Sequence, residues 1–577
     1  MQRNLKRRTL ASALALISTA GLLAACGGND ATPMAGGSTD GSAPGGETVV
    51  APPAAVDAED AALKFDAANY TPLTVTVDGT PMKLRQYRVV YVAKPIKMAA
   101  TQATLGGGTT ALADPYAYQS MIISVPEASF DDQQAALYMA VNNSGWWTSA
   151  VATTISDGKA FVSTSDTDNI GAALKAGYVV VNVGTRSRGA RAEDGRWAGK
   201  APSPVVDTKA AIRYMRLNDA LMPGSAERIV LNGTSGGGGL TAAVAASGNS
   251  ADYLPDLAEI GAAGISGSGA TAASTLKDDV FMAVAYCPIN NLGNADAGYE
   301  WQYSAVRSDA NTGALGGVAY SAGPQPAASG ALAASFPAYL DGLNLGVTAA
   351  SMPDHIKARL AEEIERQIAK GTAVPQLGEN FVTARKTLVN DWLTLTGTGT
   401  SAKVAGIDYA KFVNYVAANQ ALKTVVAFDA AGVTGNPNLS GETNLFGTPS
   451  YEYSNFTQWS WNNNQKPGDG SGRDDTGLDW AAYTAGSGSA LAQQVKLINP
   501  IAYLNTAADS APYWYVRHGM VDRDTGFAMQ ELLYQAIRKD ASVKEVSFKL
   551  PYLVGHSGNY DVQEAFAWIR SRLDATP

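Results

Sequence analysis

The spacing of apolar residues changes character three times along the chain. From Leu73 to Val92, "LTVTVDGTPMKLRQYRVVYV" alternates apolar and polar positions across a DGT turn, which predicts two half-buried strands. The runs "YQSMIISVPE" and "AALYMAVNNSGWW" follow as further short strands, so the opening third is β-rich. Next come "AGYVVVNVGTRSRG", "VVDTKAAIRYMRLNDAL", "AERIVLNGTS" and "GGGGLTAAVAAS", in the order strand, helix, strand, helix. That alternation predicts a parallel sheet covered by helices. Between about Asn290 and Pro500 the rhythm is lost, and the charged helical pattern "PDHIKARLAEEIERQIAKG" and the loop-like "QWSWNNNQKPGDGSGRDD" take its place. It resumes with "APYWYVRHGMVDRD", "TGFAMQELLYQAIRKD", "VKEVSFKLPYLVGHSG" and "VQEAFAWIRSRLD". The expected organisation is an α/β core from residues 61–290 and 501–577, with residues 291–500 inserted as a cap.

The N-terminal segment changes the picture of where such a protein works. Arg3, Lys6, Arg7 and Arg8 precede an apolar stretch from about Leu10, and small residues lead up to Cys26, which reads as a secretory signal over residues 1–25. "LAAC", Leu23 to Cys26, resembles the bacterial lipobox, so Cys26 is expected to carry a lipid. Residues 26–60, rich in Gly, Pro, Ser, Thr and Ala without periodicity, are expected to be a flexible tether. No other apolar run reaches the roughly 20 residues of a spanning helix, so the membrane connection is expected to be the lipid alone, on a periplasmic or cell-surface protein. The net charge of −9 becomes more negative once the basic leader is removed, which argues against a nucleic-acid partner. Besides Cys26 there is only Cys287, expected to be a buried small apolar residue outside any intramolecular disulfide.

The chemistry centres on "VLNGTSGGGG". Gly233-Thr234-Ser235-Gly236-Gly237 satisfies G-x-S-x-G between an apolar strand and a helix, the context of a nucleophile elbow. A phosphate loop is the rival, but no Lys follows the glycines and no G-x-G-x-x-G register fits. At a helix start the N–H of Gly236 can face a developing oxyanion, and the "NNSG" loop, at Ser144 and Gly145, offers a second donor or is a simple turn. A serine nucleophile needs a base and a residue to orient it. Of three histidines, His355 opens a charged helix and reads as solvated, and His518 lies within a strand-like run and reads as structural. His556 falls between the last strand and the last helix, where the base belongs. Asp522, in "HGMVD", is the expected acid, with Asp524 as the alternative; Asp561 is too near His556 to come from the adjoining strand.

With those residues in place the chain resembles the bacterial tannases, subtype B, of the α/β-hydrolase fold. The likeness rests on "YQSMIISVPE", "VNNSG", "VVDTKAAIRYMRLNDALMPGSAERIVLNGTSGGG", "SGNSADYLP", "YCPINNLGNADAGYEW", "RHGMVDRDT" and "HSGNYD", in order, over most of residues 115–577. The fungal-type tannase and feruloyl esterase family places cysteines beside its catalytic Ser and His; here Thr234 and Gly555 stand there instead. The resemblance implies an α/β-hydrolase core with a large inserted cap, no cofactor or metal, and a Ser235–His556–Asp522 triad. It further implies that Asp524, Lys423 and Glu442 grip the hydroxyls of a galloyl ring, with Glu452 as an alternative to Glu442. Carboxylates accept from phenolic O–H groups and a Lys donates to a phenolic oxygen, so the residue types suit the task. The expected activity is hydrolysis of gallate, and by extension protocatechuate, esters. A feruloyl or aryl esterase, a serine peptidase of the same superfold and a non-catalytic binding lipoprotein are the competing expectations; oligomeric state is left open. Two departures bear on pocket shape: the run of four glycines after Ser235, and "NNLGNAD", where the family is more acidic.

Overall fold

A computed structural model describes residues 58–307, 325–430, 441–464 and 472–576. The leader, Cys26 and most of the tether lie outside them. Ten strands form one sheet: β1 Thr71–Val77, β2 Thr80–Val90, β3 Ser120–Pro126, β4 Ala136–Val141, β5 Ala160–Phe161, β6 Val179–Val183, β7 Ser225–Thr234, β8 Met282–Tyr286, β9 Tyr513–Arg517 and β10 Glu545–Lys549. Their spatial order is β10-β9-β8-β7-β4-β6-β3-β2-β1-β5. From β10 to β6 every pairing is parallel, whereas β3, β2 and β1 add antiparallel neighbours at one side. β3, β4, β6, β8 and β9 are buried along their whole length, as continuous apolar runs require when both faces of a sheet are covered. The chain is thus an α/β protein with a mostly parallel central sheet.

Helices α1 Ser203–Leu217, α2 Gly236–Ala246, α3 Leu292–Tyr303, α4 Met352–Ala369, α5 Phe527–Lys539 and α6 Val562–Asp574 lie along the chain around this sheet. Between Tyr286, which ends β8, and Tyr513, which opens β9, the chain leaves the sheet for the expected insertion and then returns beside its point of departure. The insertion shares one hydrophobic core with the sheet layers: Phe336, Leu360, Trp392 and Phe412 belong to the same buried cluster as Val205, Leu231 and Leu532. Among the described residues, no helix is long and apolar enough to cross a membrane.

The topology concentrates loops where chemistry can be assembled. The parallel strands β4, β7, β8 and β9 end side by side at their C-terminal edge, and crossovers leave the sheet on either side of β7, so the loops after these strands converge.

Candidate active site

The serine is held at a turn that little but glycine could surround. Ser235 has φ +62° and ψ −122°, a conformation that costs a non-glycine residue free energy and persists only where neighbours fix it. Its N–H donates to the Tyr286 carbonyl at 2.9 Å, while its own carbonyl accepts from Gly239 at 2.9 Å and Ile289 at 3.1 Å. A Cβ at Gly233 would lie 2.2 Å from the Gly237 carbonyl oxygen, one at Gly238 2.5 Å from that of Tyr286, and one at Gly239 2.0 Å from that of Ile289. The glycine run therefore lets α2 settle directly on backbone at the ends of β7 and β8.

The loop after β4 closes against the same turn. A Cβ at Gly236 would stand 2.1 Å from the Trp146 nitrogen and 2.4 Å from the Asn143 oxygen, so residues 143–146 press on the first residue of α2. Within this loop the Ser144 N–H is already given to Asn142 at 3.0 Å and that of Trp146 to Asn143 at 2.9 Å. Gly145 adopts φ +56°, ψ +31°.

The other two members come from the loops after β9 and β10, which are laced together. Met520 donates to Pro551 at 2.9 Å and Val521 to Val554 at 3.0 Å. This brings His556 Nε2 to 2.8 Å from Ser235 Oγ and His556 Nδ1 to 2.8 Å from Asp522 Oδ2, a continuous hydrogen-bonded chain. Asp522 is fully buried, and its second oxygen accepts the Asp524 N–H at 2.8 Å. Burial would raise the Asp522 pKa, but His556 and His518 outweigh it and hold the carboxyl at about 2. The reciprocal effect acts on His556: burial disfavours its charged form, yet Asp522 overrides this and raises the imidazole to about 11.

Each remaining histidine, cysteine and acid of the sequence has a distinct place. His355 stays partly exposed, 3.5 Å from Glu531. His518 is fully buried, edge-on to Phe527 with its Nδ1 3.4 Å from Asp522 Oδ2, and burial lowers its pKa. Asp561 lies beneath the site and accepts from Tyr286 at 2.7 Å, Tyr515 at 2.6 Å and Arg517 Nε at 3.0 Å. Cys287 is buried, but not only as a filler: its Sγ lies 4.0 Å from His556 Nε2 and donates to the Ser557 carbonyl at 3.2 Å. Cys287, Asp522 and His556 have ligand atoms close enough together to hold an ion, although His556 and Asp522 are already engaged with one another and with Ser235.

Three further charged residues converge beside this chain. Asp524 pairs with Arg523 and places Oδ2 3.8 Å from His556 Nδ1. Glu442 is buried, and burial raises its pKa; Arg188 and Lys423 act in the opposite sense, and Asp524 adds to the rise. Lys423 lies with Nζ 4.3 Å from the centre of the Phe428 ring. The backbone beneath them is fixed, because Asp296 accepts the N–H groups of Ala427, Phe428 and Asp429, and Phe428 in turn accepts from Glu442 at 2.7 Å. Glu452, by contrast, is exposed, and it is its main-chain carbonyl that Lys200 holds. The sequence did not single out Arg188, which is buried with Nη1 3.0 Å from the Gly145 carbonyl and 3.7 Å from Glu442 Oε1.

This combination of sheet topology, serine turn and hydrogen-bonded Ser–His–Asp chain defines an α/β-hydrolase. A family model described as BD-FAE matches residues 145–278. Among solved structures, a tannin acyl hydrolase in complex with 3,4-dihydroxybenzoate is 28% identical with a TM-score of 0.67, over 89% of this chain and 99% of that one. The native tannin acyl hydrolase of Lactobacillus plantarum is 29% identical with a TM-score of 0.65, over 88% and 98%. The tannase of Fusobacterium nucleatum is 28% identical with a TM-score of 0.63, over 89% and 99%. No curated protein matches the chain. These likenesses, over nearly the whole length of the solved tannases, mark the chain as a tannase-like carboxylic ester hydrolase.

Proposed function

We propose that the protein hydrolyses galloyl, and also protocatechuoyl, esters through a galloyl–Ser235 intermediate, releasing gallic acid from simple gallates and tannins. The observation that carries this is the convergence of Asp524, Lys423 and Glu442 beside the Ser235–His556–Asp522 chain. Hydroxyls of a bound ring donate to the two carboxylates and accept from the lysine, which holds the ester carbonyl at the serine. One related tannin acyl hydrolase of known structure holds ethyl gallate, in keeping with this substrate class.

Ser235 Oγ attacks the ester carbonyl as its proton passes to His556 Nε2, and Asp522 stabilises the imidazolium. The N–H groups of Gly236 and Gly145 bind the oxyanion, with Ser144 bracing the loop through its bond to Asn142. His556 returns the proton to the departing alcohol oxygen as the C–O bond breaks. Water, deprotonated by the same imidazole, then cleaves the acyl-enzyme to gallic acid and free Ser235. No cofactor is required by these steps.

Selectivity tests the proposal. Buried charges left without partners penalise a ring that lacks hydroxyls, so methyl gallate should be cut far faster than methyl benzoate. Equal rates on the two esters would reduce the activity to that of a general aryl esterase. We also propose that the protein is exported and held at the membrane by a lipid on Cys26, as a periplasmic or cell-surface lipoprotein; the "LAAC" motif and basic leader support this.

A further inference from the structure

Arg188 lies between two parts of the site that act on opposite ends of the proposed substrate. Its Nη1 donates to the Gly145 carbonyl at 3.0 Å, and its guanidinium covers the Trp147 ring, 5.0 Å from the ring centre. Its own carbonyl accepts the Thr148 N–H at 3.0 Å. All three contacts fall on the loop that presses against Gly236. On the other side Glu442 Oε1 stops 3.7 Å from Nη1, beyond hydrogen-bond range, although both side chains are about 5% exposed or less. A buried Arg–carboxylate pair ordinarily closes into a bidentate contact. Here the Gly145 carbonyl and the Trp147 face hold the guanidinium back. As a result Glu442 Oε2 and Arg188 Nε are buried with no hydrogen-bond partner among the described residues. An acceptor left unfilled beside a cation is costly, and a ring hydroxyl relieves the cost.

We infer that Arg188 is a positioning residue that couples recognition of the ring hydroxyls at Glu442 to the geometry of the oxyanion loop at Gly145. The inference rests on the galloyl-esterase proposal for the role of Glu442, but its oxyanion-loop half does not. When a hydroxyl occupies Glu442, the pull of that carboxylate on Arg188 is balanced, and the guanidinium stays on Gly145 and Trp147. Lys cannot substitute: its ammonium is a point charge without the planar fork that stacks on Trp147 while donating to a carbonyl.

The test compares wild type, Arg188→Lys, Glu442→Gln and the double variant on two substrates: methyl gallate, and 4-nitrophenyl acetate, which has no hydroxylated acyl ring. Arg188→Lys should lower kcat on 4-nitrophenyl acetate by about tenfold to a hundredfold through a displaced loop, whereas Glu442→Gln, which frees Arg188 from the pull of a carboxylate that acetate leaves unoccupied, should raise it. On methyl gallate both single variants should lose kcat/KM, and the double variant should lose less than the product of the two. A merely structural role would not produce this split between substrates. Should Arg188→Lys fail to fold, Trp147→Leu takes its place, with the same pattern expected. An acetate rate that survives the Arg188 or Trp147 change, or independent losses on methyl gallate, would overturn the coupling. Lack of a gallate preference in wild type would instead remove the galloyl proposal, and the acetate comparison would still decide whether Arg188 holds the oxyanion loop.

Discussion

Asp522 and Asp524 approach the same imidazole nitrogen from one loop, at 2.8 Å and 3.8 Å, and the Asp524 N–H donates to the Asp522 carboxylate. In the proposed mechanism these two acids, two residues apart, do different work. Asp522→Asn should lower kcat by roughly 10⁴-fold, since it misorients His556 and upsets its tautomer. Asp524→Ala should cost roughly tenfold to a hundredfold in kcat/KM on methyl gallate and narrow the preference over methyl benzoate, with Ser235 still labelled by a fluorophosphonate. Steady-state kinetics on both esters checks the assignment; the reverse ranking would exchange the two roles.

The pH dependence follows from the same contact. Burial alone lowers an imidazole pKa, but ionised Asp522 carries His556 from its ordinary 6.5 upward. A raised pKa keeps the proton on the ring to higher pH, and in the proposed mechanism His556 accepts the serine proton only when neutral. The acid limb of kcat/KM should therefore lie above pH 6.5. In Asp522→Asn the largest effect opposing burial is removed, and the limb of the residual activity should move to lower pH. A pH profile of both proteins reads this directly, and a limb that does not move would separate His556 from Asp522.

Gly236 offers a steric test of the oxyanion loop. Its missing Cβ faces the Trp146 nitrogen and the Asn143 oxygen, both backbone, so no flexible side chain can yield. Gly236→Ala should cost about 1–3 kcal/mol of stability and also displace the donors. Thermal melting and turnover of 4-nitrophenyl acetate should both fall; a fall in the melt alone would leave the loop without a role in turnover.

Much of this was legible in the sequence, for physical reasons that differ from element to element. The α/β class could be read because the strands are continuous apolar runs and the helices between them are long enough to show their own pattern. The serine turn stood out because the close approach of α2 to backbone excludes every side chain at several successive positions. Proximity across the fold left weaker traces. Glu442 and Glu452 are both acids of the insertion, and only the backbone anchored through Phe428 and Asp296 buries one while the other stays exposed. Arg188 sits at the end of "AGYVVVNVGTRSRG", where the sequence shows only a strand and no sign of a buried charge; its burial depends on Trp147 and Glu442, distant in sequence. Cys287 reads as a small apolar residue, and its approach to His556 is set by the turn that follows β8.

The anchor can be examined separately from catalysis. Cys26→Ser should abolish fatty-acid labelling and release the protein from the membrane fraction with its specific activity unchanged, since residues 26–60 hold no catalytic candidate. If wild type is neither labelled nor membrane-bound, Cys26 is an ordinary leader residue.

The most direct measurement of the central claim is acid-quenched mass spectrometry of the protein during turnover of methyl gallate, together with the activity of Ser235→Ala. A galloyl ester is expected on the peptide that carries Ser235, absent from the variant, with less than about a hundredth of wild-type activity in a folded Ser235→Ala protein. A variant that retains more than that, or turnover with no acyl group ever found on Ser235 under conditions that trap one on a known serine esterase, would contradict it.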